Sequence, residues 1–314
     1  MTYYPVVIPT LNRYEHFRRC VESLAHNAYA NQTELVIGLD YPPAEKYEKG
    51  YKLIKEYLPT ITGFAKVTVF ERTENWGPVR NNADLISYVF AHYDAVIATE
   101  DDNEFSPCFL DYMNKMLNHY HDDSRIATVS GHLPVMFSGY SETNLVFTKE
   151  NNAWGYGCWR DKYGDAIIRN ATAYGVLNSL TLSMKSFRIY PACFRMLIKM
   201  VSQGKTWGDV IRTQNNIVNG SFQVRPAVSL VRNWGNDGSG VNCRVDESIA
   251  QQPISDALTF EEPVDWEPYS SKGIAKATFR LTWPKNNFLF AGKMAITILL
   301  YFKYRLCRLF KSKR

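Results

Sequence analysis

Three acidic residues, Glu100, Asp101 and Asp102, stand side by side directly after the apolar run 95–99. Adjacent carboxylates at the end of a buried strand repel one another, so a positive partner should offset their charge. A divalent cation with oxygen ligands would do so, and it could also bridge to a diphosphate. A solvated acidic turn, or a cap for a helix that begins near Pro107, is the alternative. The cluster is therefore the first candidate for a metal site.

Polar side chains also follow the other apolar runs of the first half. Ligands of open α/β sheets bind at the carboxyl ends of strands, so these side chains are candidates for binding. Asp40 follows the run 34–39 and could accept hydrogen bonds from a ribose or a base; forming the turn before Pro42-Pro43 is the alternative. The candidates at strand ends are Asn12, Arg13, Asp40, Glu71, Arg72, Glu100, Asp101 and Asp102.

Short apolar runs alternate with helical periodicity across residues 1–130. This alternation is typical of a parallel sheet covered by helices, an α/β fold. Neither a Gly-x-Gly-x-x-Gly sequence nor a P-loop follows the first run, which argues against those two nucleotide-binding classes. Strands are predicted over residues 4–9, 34–39, 66–70, 95–99 and 125–130. Helices are predicted around Phe17, Val21 and Leu24, and over residues 45–58, 79–90 and 107–119.

The composition indicates a folded protein without a zinc site. The chain has 314 residues, of which 46% are hydrophobic and 21% charged, so it can form one large domain or two small ones. The second half is rich in Trp, Gly and Asn and is expected to be a mixed region with long functional loops. No Cys-x-x-Cys pair and no zinc-hydrolase His spacing occurs. The scattered cysteines favour a reducing compartment, and no signal peptide is evident.

The charge is segregated along the chain. The net charge is +5, yet residues 268–314 hold 11 Lys and Arg and no acid, so residues 1–267 carry a net charge of −6. Residues 291–314 predict a basic amphipathic helix with Leu299, Phe302 and Leu306 on its apolar face. Its uncharged run is too short to span a bilayer, so it is expected to lie on an anionic membrane surface. Docking on the protein itself is the alternative.

Several segments, in order along the chain, resemble those of GT-A fold glycosyltransferases. Residues 4–13 resemble their opening strand and loop, Asp40 lies where they have a nucleoside-contacting Asp, and residues 75–82 resemble a segment that lines the donor pocket. The Glu-Asp-Asp form of residues 100–102 is that of the N-acetylglucosaminyltransferase I family. Residues 151–160 are similar to the Trp-Gly-rich acceptor-side motif of bacterial polysaccharide glycosyltransferases of the family 2 type.

The resemblance implies a GT-A fold, the Rossmann-like α/β fold of nucleotide-diphospho-sugar transferases, with a mixed sheet flanked by helices. It implies a catalytic domain over residues 1–255, with a nucleotide-sugar half (1–130) and an acceptor half (131–255). Residues 256–314 would form a C-terminal extension that carries the amphipathic helix 291–314.

The resemblance also implies a donor site. Asp102 would bind Mn²⁺ or Mg²⁺, which would stabilise the departing diphosphate. Arg13 and Arg80 would contact the diphosphate or brace the acids, although either could form a surface ion pair instead. The residues expected to contact the nucleotide-sugar are Pro9, Asn12, Arg13, Asp40, Asn75, Arg80, Glu100 and Asp101.

An inverting transfer needs a base that takes the proton of the acceptor hydroxyl. Asp161, Asp165 and Asp209 are the candidates. Residues 206–209 resemble the Trp-x-Asp segment that carries the base in the N-acetylglucosaminyltransferase I family. Asp209 is therefore the first choice and Asp161 the second, with helix capping as the alternative role of Asp209.

Two further features concern the acceptor and the metal. Trp154, Trp159 and Trp207 would form a platform for the acceptor, unless they belong to the core. Residues 233–240 contain three glycines and predict a tight loop whose backbone could approach a phosphate. The matching family segment usually ends in a His that often contacts the metal. Asn242 stands in that stretch here and could supply a carbonyl oxygen instead.

The sequence thus predicts a metal-dependent, inverting glycosyltransferase that uses a UDP-sugar and a glycan or lipid-linked acceptor. It would act in bacterial surface polysaccharide synthesis, in the cytoplasm at the inner face of the membrane. A nucleotide-sugar pyrophosphorylase is the nearest alternative, but its usual Gly-rich basic opening loop is missing. A non-catalytic carbohydrate-binding membrane protein is another. Nucleic-acid binding by the basic tail is a third alternative, but the rest of the chain shows no feature typical of RNA or DNA binding.

Overall fold

The computed structural model describes residues 1–134, 145–163, 170–238, 245, 250–255 and 287–311. Short 3₁₀ turns cover Ala30–Gln32, Glu45–Tyr47 and Leu58–Thr60. The strands are β1 (Val6–Thr10), β2 (Glu34–Leu39), β3 (Lys66–Glu71), β4 (Ala95–Ala98), β5 (Asn103–Phe105), β6 (Ile126–Ser130), β7 (Leu145–Thr148), β8 (Tyr156–Trp159), β9 (Phe222–Pro226) and β10 (Val231–Asn233). The α-helices are α1 (Tyr14–Ala25), α2 (Glu48–Tyr57), α3 (Gly77–Phe90), α4 (Phe109–His119), α5 (Arg160–Tyr163), α6 (Asn170–Asn178), α7 (Leu180–Ile189), α8 (Pro191–Ser202), α9 (Gly208–Asn219) and α10 (Asn287–Lys311).

In the described part of the chain, eight strands form one mixed sheet in the order β3-β2-β1-β4-β8-β6-β9-β7. The strands β3, β2, β1 and β4 are parallel, as the alternation predicts. The strand β8 runs antiparallel between β4 and β6, and β7 runs antiparallel to β9. The α/β class with a mixed sheet is confirmed, whereas the wholly parallel sheet suggested by the alternation alone is corrected by β8.

The central strands are buried on both faces, which explains why their sequences are continuous apolar runs. Val7, Val36 and Val96 pack against α3 on one face. Ile8 and Ile37 share a core with α1 and α4 on the other face. Complete burial of each such side chain contributes about 1.5–3 kcal/mol. The core therefore fixes the positions of the loops at the carboxyl ends of β1, β2 and β4.

The helices α6 to α9 form a cluster with its own apolar core, where the sequence predicted a less regular region. Each helix has a local stop or start signal. The Ser179 hydroxyl caps α7 by accepting a hydrogen bond from the Leu182 amide at 3.2 Å. Pro191 is the first residue of α8, and Gly220 ends α9 with a left-handed backbone (φ 78°).

The C-terminal helix α10 docks on α8 and α6. Tyr301 is buried with its ring 5.6 Å from that of Phe194, and Arg305 donates to the carbonyl oxygen of Asn178. The opposite side is open to solvent, with Leu299 exposed at 67% and Phe302 at 56%. The predicted apolar face is therefore exposed, and a different face docks on the protein.

None of the helices within the described ranges is long and apolar enough to cross a membrane.

Candidate functional site

The acidic cluster lies where two elements of the sheet region meet. The cluster follows β4, and β5 begins directly after it and pairs antiparallel with β10. The amide of Trp234, just after β10, donates to the carbonyl oxygen of Asp102 at 2.8 Å. A Cβ atom on Gly235 would lie 2.1 Å from Asp102 Oδ2, so only glycine fits there. The glycine loop that the sequence singled out thus packs against the acids.

Asp101 and Asp102 are both buried, each exposed at 6%, and Arg13 joins them. Arg13 Nη1 lies 2.8 Å from Asp102 Oδ2, and Nη2 donates to Asp101 Oδ1. Burial raises the pKa of Asp101, although the Arg13 charge opposes this effect. Arg13 therefore supplies part of the positive charge that the adjacent acids require.

Neutral side chains complete the network around this ion pair. The Thr10 hydroxyl donates to Asp101 Oδ2 at 2.9 Å. Asn233 Nδ2 donates to Asp102 Oδ1 at 2.8 Å and to Asn103 Oδ1 at 2.9 Å. Every carboxylate oxygen of the pair thus accepts at least one hydrogen bond, which fixes its orientation.

Glu100 and Asp209 behave differently from this braced pair. Both side chains are open to solvent, and Asp209 lies on the first turn of α9. The surrounding protein, followed by the charges of Asp102 and Asp209, raises the pKa of Glu100. The surrounding protein also raises the pKa of Asp209. The charge of Asp209, on α9, thus acts on the acidic cluster at the end of β4.

Asp209 is loosely held. Asn151 Nδ2 donates a long hydrogen bond to Asp209 Oδ1 at 3.5 Å. The charge of Arg212, one turn later on α9, lowers its pKa against the effect of burial. No side-chain cap hydrogen bond forms at the start of α9, where Trp207 is the N-cap residue. Asp209 is thus an accessible carboxylate that contributes little to holding the fold together.

Asp40 lies at the end of β2 and holds the loop before α3. Oδ1 accepts from the amides of Tyr41 (2.9 Å) and Trp76 (2.8 Å). Oδ2 accepts from the Gly77 amide (2.8 Å) and from Asn75 Nδ2 (3.3 Å). The charge of Asp40 at the start of α3 also favours the helix dipole. The predicted contact of Asp40 with a nucleoside stays a prediction.

The loop before α3 is built around Trp76, whose ring lies between two guanidinium groups. Arg72 Cζ lies 4.0 Å and Arg80 Cζ 3.9 Å from the ring centroid. Arg72 is buried and pairs with Asp84 at 2.7 Å, whereas exposed Arg80 pairs with Glu74 at 3.3 Å. Arg80 therefore braces this loop and not the acids, which leaves Arg13 as the cation of the cluster.

Pro9 and Asn12 lie at the end of β1, on the same edge of the sheet as the acids. Pro9 pairs with Gly38 of β2. A Cβ atom on Gly50 of α2 would lie only 1.8 Å from the carbonyl oxygen of Asn12. This close approach fixes the loop that carries Arg13.

Two expectations are wrong because β8 runs antiparallel to β4. Trp159 pairs with Ala95, at the opposite end of β4 from the acids. Trp159 is fully buried, and its indole nitrogen donates to the Leu117 carbonyl at 2.9 Å, so it cannot contact an acceptor. Asp161 follows at the same far edge of the sheet, which removes it as a candidate base.

The other two tryptophans lie on the near side. Trp154 precedes β8 and is half-buried, with its ring 4.7 Å from that of His132. Trp207 is also half-buried and packs on the core of the helical cluster, two residues before Asp209. The predicted positions Asp165 and Asn242 lie outside the described residues.

A metal ion would find a limited set of ligands here. Among the described residues, no three His, Cys, Asp or Glu side chains are grouped to hold one. Asp102 supplies carboxylate oxygens, which suit Mg²⁺ or Mn²⁺, and each of them keeps a second lone pair beside its bond to Arg13 or Asn233. The arrangement fits one protein ligand for an ion that completes its shell with other oxygens.

Sequence reasoning did not assign roles to several residues of the site. Thr10 and Asn233 donate hydrogen bonds to the cluster from distant parts of the chain. His16 Nε2 contacts Asp237 at 3.1 Å and the Trp234 carbonyl at 3.3 Å, which ties α1 to the glycine loop. The position of Arg72 at the end of a predicted strand was the sequence feature that pointed to it.

The sequence model of glycosyl transferase family 2 matches residues 6–173 of the chain. This range holds β1 to β8 and the acidic cluster, but not α9. No curated protein sequence matches the chain.

Solved structures share low similarity with the chain. A fragment of S. aureus TarS, residues 1–349, in complex with UDP-GlcNAc is 17% identical, with a TM-score of 0.32, and the match covers 41% of this chain and 34% of that one. The chain thus matches about a third of the TarS fragment. The mannosyltransferase PcManGT from Pyrobaculum calidifontis, in complex with GDP-Man and Mn²⁺, is 15% identical, with a TM-score of 0.39 and coverages of 68% and 69%.

Proposed function

The chain belongs to glycosyl transferase family 2 and is a glycosyltransferase, and from this premise we propose that it transfers a sugar from a nucleotide-sugar to a hydroxyl group of a glycan or lipid-linked acceptor. One observation carries the proposal. Asp209, an accessible carboxylate on α9, lies in electrostatic contact with the acidic cluster at the end of β4. Two carboxylate centres with different surroundings are therefore close enough to interact, as neighbouring donor and acceptor sites require.

The donor would bind at the braced cluster. Arg13 can move one or both of its N–H pairs from the carboxylates to a diphosphate, because guanidinium binds both groups in the same geometry. The Glu-Asp-Asp resemblance favours UDP as the nucleotide. Glu100 is open to solvent and can accept hydrogen bonds from sugar or ribose hydroxyls.

We propose Mn²⁺ or Mg²⁺ as the cofactor, with Asp102 as its protein ligand. When bound, such an ion would stabilise the negative charge that develops on the departing diphosphate. Asp101, held by Thr10 and Arg13, would keep Asp102 in position.

Asp209 is proposed as the base. It would accept the proton of the acceptor hydroxyl while that oxygen bonds to the anomeric carbon and the bond from this carbon to the diphosphate oxygen breaks. The nucleoside diphosphate leaves, and the configuration inverts. A raised pKa brings a carboxylate closer to the operating pH and makes it a better base, and the protein around Asp209 raises its pKa.

The test is release of nucleotide from a panel of UDP-, GDP- and dTDP-sugars, with and without Mn²⁺, followed by transfer to candidate acceptors. We expect release from a UDP-sugar that falls on chelation of the metal and in Asp102→Ala. Asp161→Asn, at the far edge of the sheet, is the control and should retain activity. Failure of every nucleotide-sugar to react would contradict the proposal.

We further propose that the enzyme acts on an anionic membrane surface, in the assembly of a bacterial surface polysaccharide. The solvent-facing side of α10 presents large apolar side chains beside Lys293, Lys303 and Arg308. Apolar groups that enter the lipid interface next to cations that attract its headgroups are typical of peripheral binding. The exposed apolar residues of α10 are Phe288, Leu289, Ile296, Ile298, Leu299, Leu300, Phe302 and Leu306.

Sedimentation with vesicles tests this surface. Wild type should bind vesicles that contain phosphatidylglycerol more strongly than pure phosphatidylcholine. The double variant Leu299→Gln, Phe302→Gln should lose most of the binding. Leu180→Gln, Met184→Gln removes exposed apolar groups from α7 as a control and should bind normally. Equal binding by both double variants would contradict the assignment to α10.

A further inference from the structure

A polar cavity of about 200 Å³ lies between β6 and α9 and is not lined by Asp101, Asp102 or Asp209. At about 30 Å³ per water molecule it has room for several waters or one small ion. Its lining holds two cationic side chains and no Asp or Glu. The residues that matter here are Thr128, Asn151, Lys162, Arg212, Asn215 and Asn216, and this space is called the Arg212 cavity below.

Arg212 is exposed at only 9%, and no carboxylate of the described residues forms an ion pair with it. Its guanidinium lies over the ring of Tyr156 at 4.5 Å and near that of Tyr163 at 5.5 Å. A hydrogen bond with Tyr156 is its other contact. Removing a cation from water is costly unless an opposite charge or several acceptors replace the water. The rings and the more distant charge of Asp209 offset part of this cost, and no carboxylate contacts the guanidinium among the described residues.

The geometry of guanidinium limits what can complete the site. Aromatic rings contact its faces, whereas its five N–H donors point outward in its plane. Two parallel N–H donors of this kind match the two oxygens of a carboxylate or a phosphate. Arg212 lines the cavity, so an oxyanion within the cavity could reach those donors.

The remaining walls favour the same class of ligand. Lys162 adds a second positive charge while its ammonium donates to the carbonyls of Tyr120, Asp123 and Ile126 at 3.0, 3.0 and 3.2 Å. The Asn215 side chain has no hydrogen-bond partner among the described residues and is half-buried, so its amide is available to a ligand.

We propose that the Arg212 cavity is a binding site for a small oxyanion, a phosphate or a carboxylate group, held by Arg212 with Asn215 and the field of Lys162. The cavity shares Asn151 with Asp209, since Asn151 lines the cavity and also donates to that carboxylate. An anion at Arg212 would also weaken the positive field that acts on Asp209. The site stands apart from the donor site and does not depend on the proposed transfer reaction.

Calorimetry and thermal unfolding of the donor-free protein test this site, with inorganic phosphate and glucuronate as probes. Binding of phosphate alone would indicate a phosphate source, and binding of glucuronate alone a sugar acid. Asn215→Asp places a carboxylate in the cavity without removing a bond, and we expect it to weaken binding at least about tenfold by repulsion. Arg212→Gln should do the same, with its fold checked by circular dichroism.

Two variants serve as controls. Gln203→Glu makes a similar charge change at an exposed position on the same helical cluster and should bind the anion as wild type does. Arg13→Gln alters the donor cluster and should also retain binding. Absence of binding of both probes to wild type would overturn the proposal. Binding that survives Asn215→Asp and is lost in Arg13→Gln would place the anion in the donor site and also overturn it.

Discussion

The end of β4 and the start of α9 hold their carboxylates in opposite ways. After β4, Asp101 and Asp102 are buried, joined by Arg13 and bonded by Thr10 and Asn233. On α9, Asp209 is open to solvent and has one long hydrogen bond from Asn151.

The difference separates two tasks that acidic residues perform. A carboxylate that must orient a ligand is best fixed by several hydrogen bonds, whereas one that must accept a proton needs a free lone pair and access to the reacting hydroxyl. The braced acids suit the first task and Asp209 suits the second. The predictions below test this division in order of decreasing effect.

Asp209→Asn should reduce sugar transfer about 10²- to 10⁴-fold, the usual contribution of a general base. The unfolding free energy should hardly change, because the side chain is accessible and weakly bonded. Steady-state kinetics and urea unfolding check both parts. Asp161→Asn is the matched control, with the same chemical change at the far edge of the sheet. Normal sugar transfer by Asp209→Asn would contradict the assignment of different tasks to Asp209 and to the braced acids.

Arg13→Gln should lower the free energy of unfolding by about 3 kcal/mol, because two buried carboxylates lose their counter-charge. This figure lies at the low end for buried pairs since the Arg13 side chain is 22% exposed. Urea unfolding provides the measurement. Arg80→Gln removes an exposed arginine that pairs with Glu74 and should cost less than about 0.5 kcal/mol. Equal effects of the two variants would show that the acids are not braced by Arg13.

Asp40→Asn should destabilise the protein by about 2 kcal/mol, because an amide group cannot accept all four hydrogen bonds that the carboxylate receives. The same denaturation experiment measures it. Asp94→Asn, at an exposed position, should have little effect. If Asp40→Asn were as stable as wild type, the four hydrogen bonds of the carboxylate would not stabilise the start of α3.

The smallest effect concerns His132, whose ring lies near Trp154 in the acceptor half. Burial, followed by the Arg225 charge, lowers the pKa of His132 from 6.5 to about 3. The folded state therefore binds fewer protons than the unfolded state between these values, and stability falls as the pH decreases below 6.5. The loss should be about 1.4 kcal/mol at pH 5.5.

Unfolding experiments from pH 7 to pH 5 measure how steeply the free energy of unfolding falls with pH in each protein. His132→Gln should show a shallower loss than wild type, whereas His121→Gln, at an exposed position, should keep the wild-type slope. Parallel curves for wild type and His132→Gln would contradict the assignment of the loss to His132.

The donor half could be predicted from the sequence because its parallel strands are buried on both faces. The predicted strands over 34–39 and 95–99 differ from β2 and β4 by one residue or less. The prediction of a helix over 45–58 includes the 3₁₀ turn Glu45–Tyr47, which no apolar periodicity distinguishes from an α-helix. The local sequence pattern was therefore sufficient to predict most helices and strands of this region.

The helical cluster was missed because buried polar residues interrupt its apolar periodicity. Ser186 is buried in α7 and donates to Gln214 of α9 at 2.6 Å. The strand β8 was missed because its Tyr-Gly-Cys-Trp sequence was assigned to an acceptor motif. Its place between β4 and β6 depends on contacts distant in sequence, which also decide the position of Trp159.

The candidate site was predicted in part. The acids and Asp209 were identified from type, position and resemblance, and bracing by Arg13 was one of three stated alternatives. The bonds from Thr10 and Asn233 could not be foreseen, because they join segments about 90 and 130 residues apart. The amides that bond Asp40 could not be foreseen either, because Trp76 and Gly77 belong to a loop that meets Asp40 only in three dimensions.

The most direct test of the division between braced and free carboxylates is isothermal titration of UDP with Mn²⁺ into wild type, Asp102→Ala and Asp209→Asn. We predict wild-type affinity for Asp209→Asn and at least about tenfold weaker binding for Asp102→Ala. Weakened binding in Asp209→Asn, together with unchanged binding in Asp102→Ala, would contradict the account.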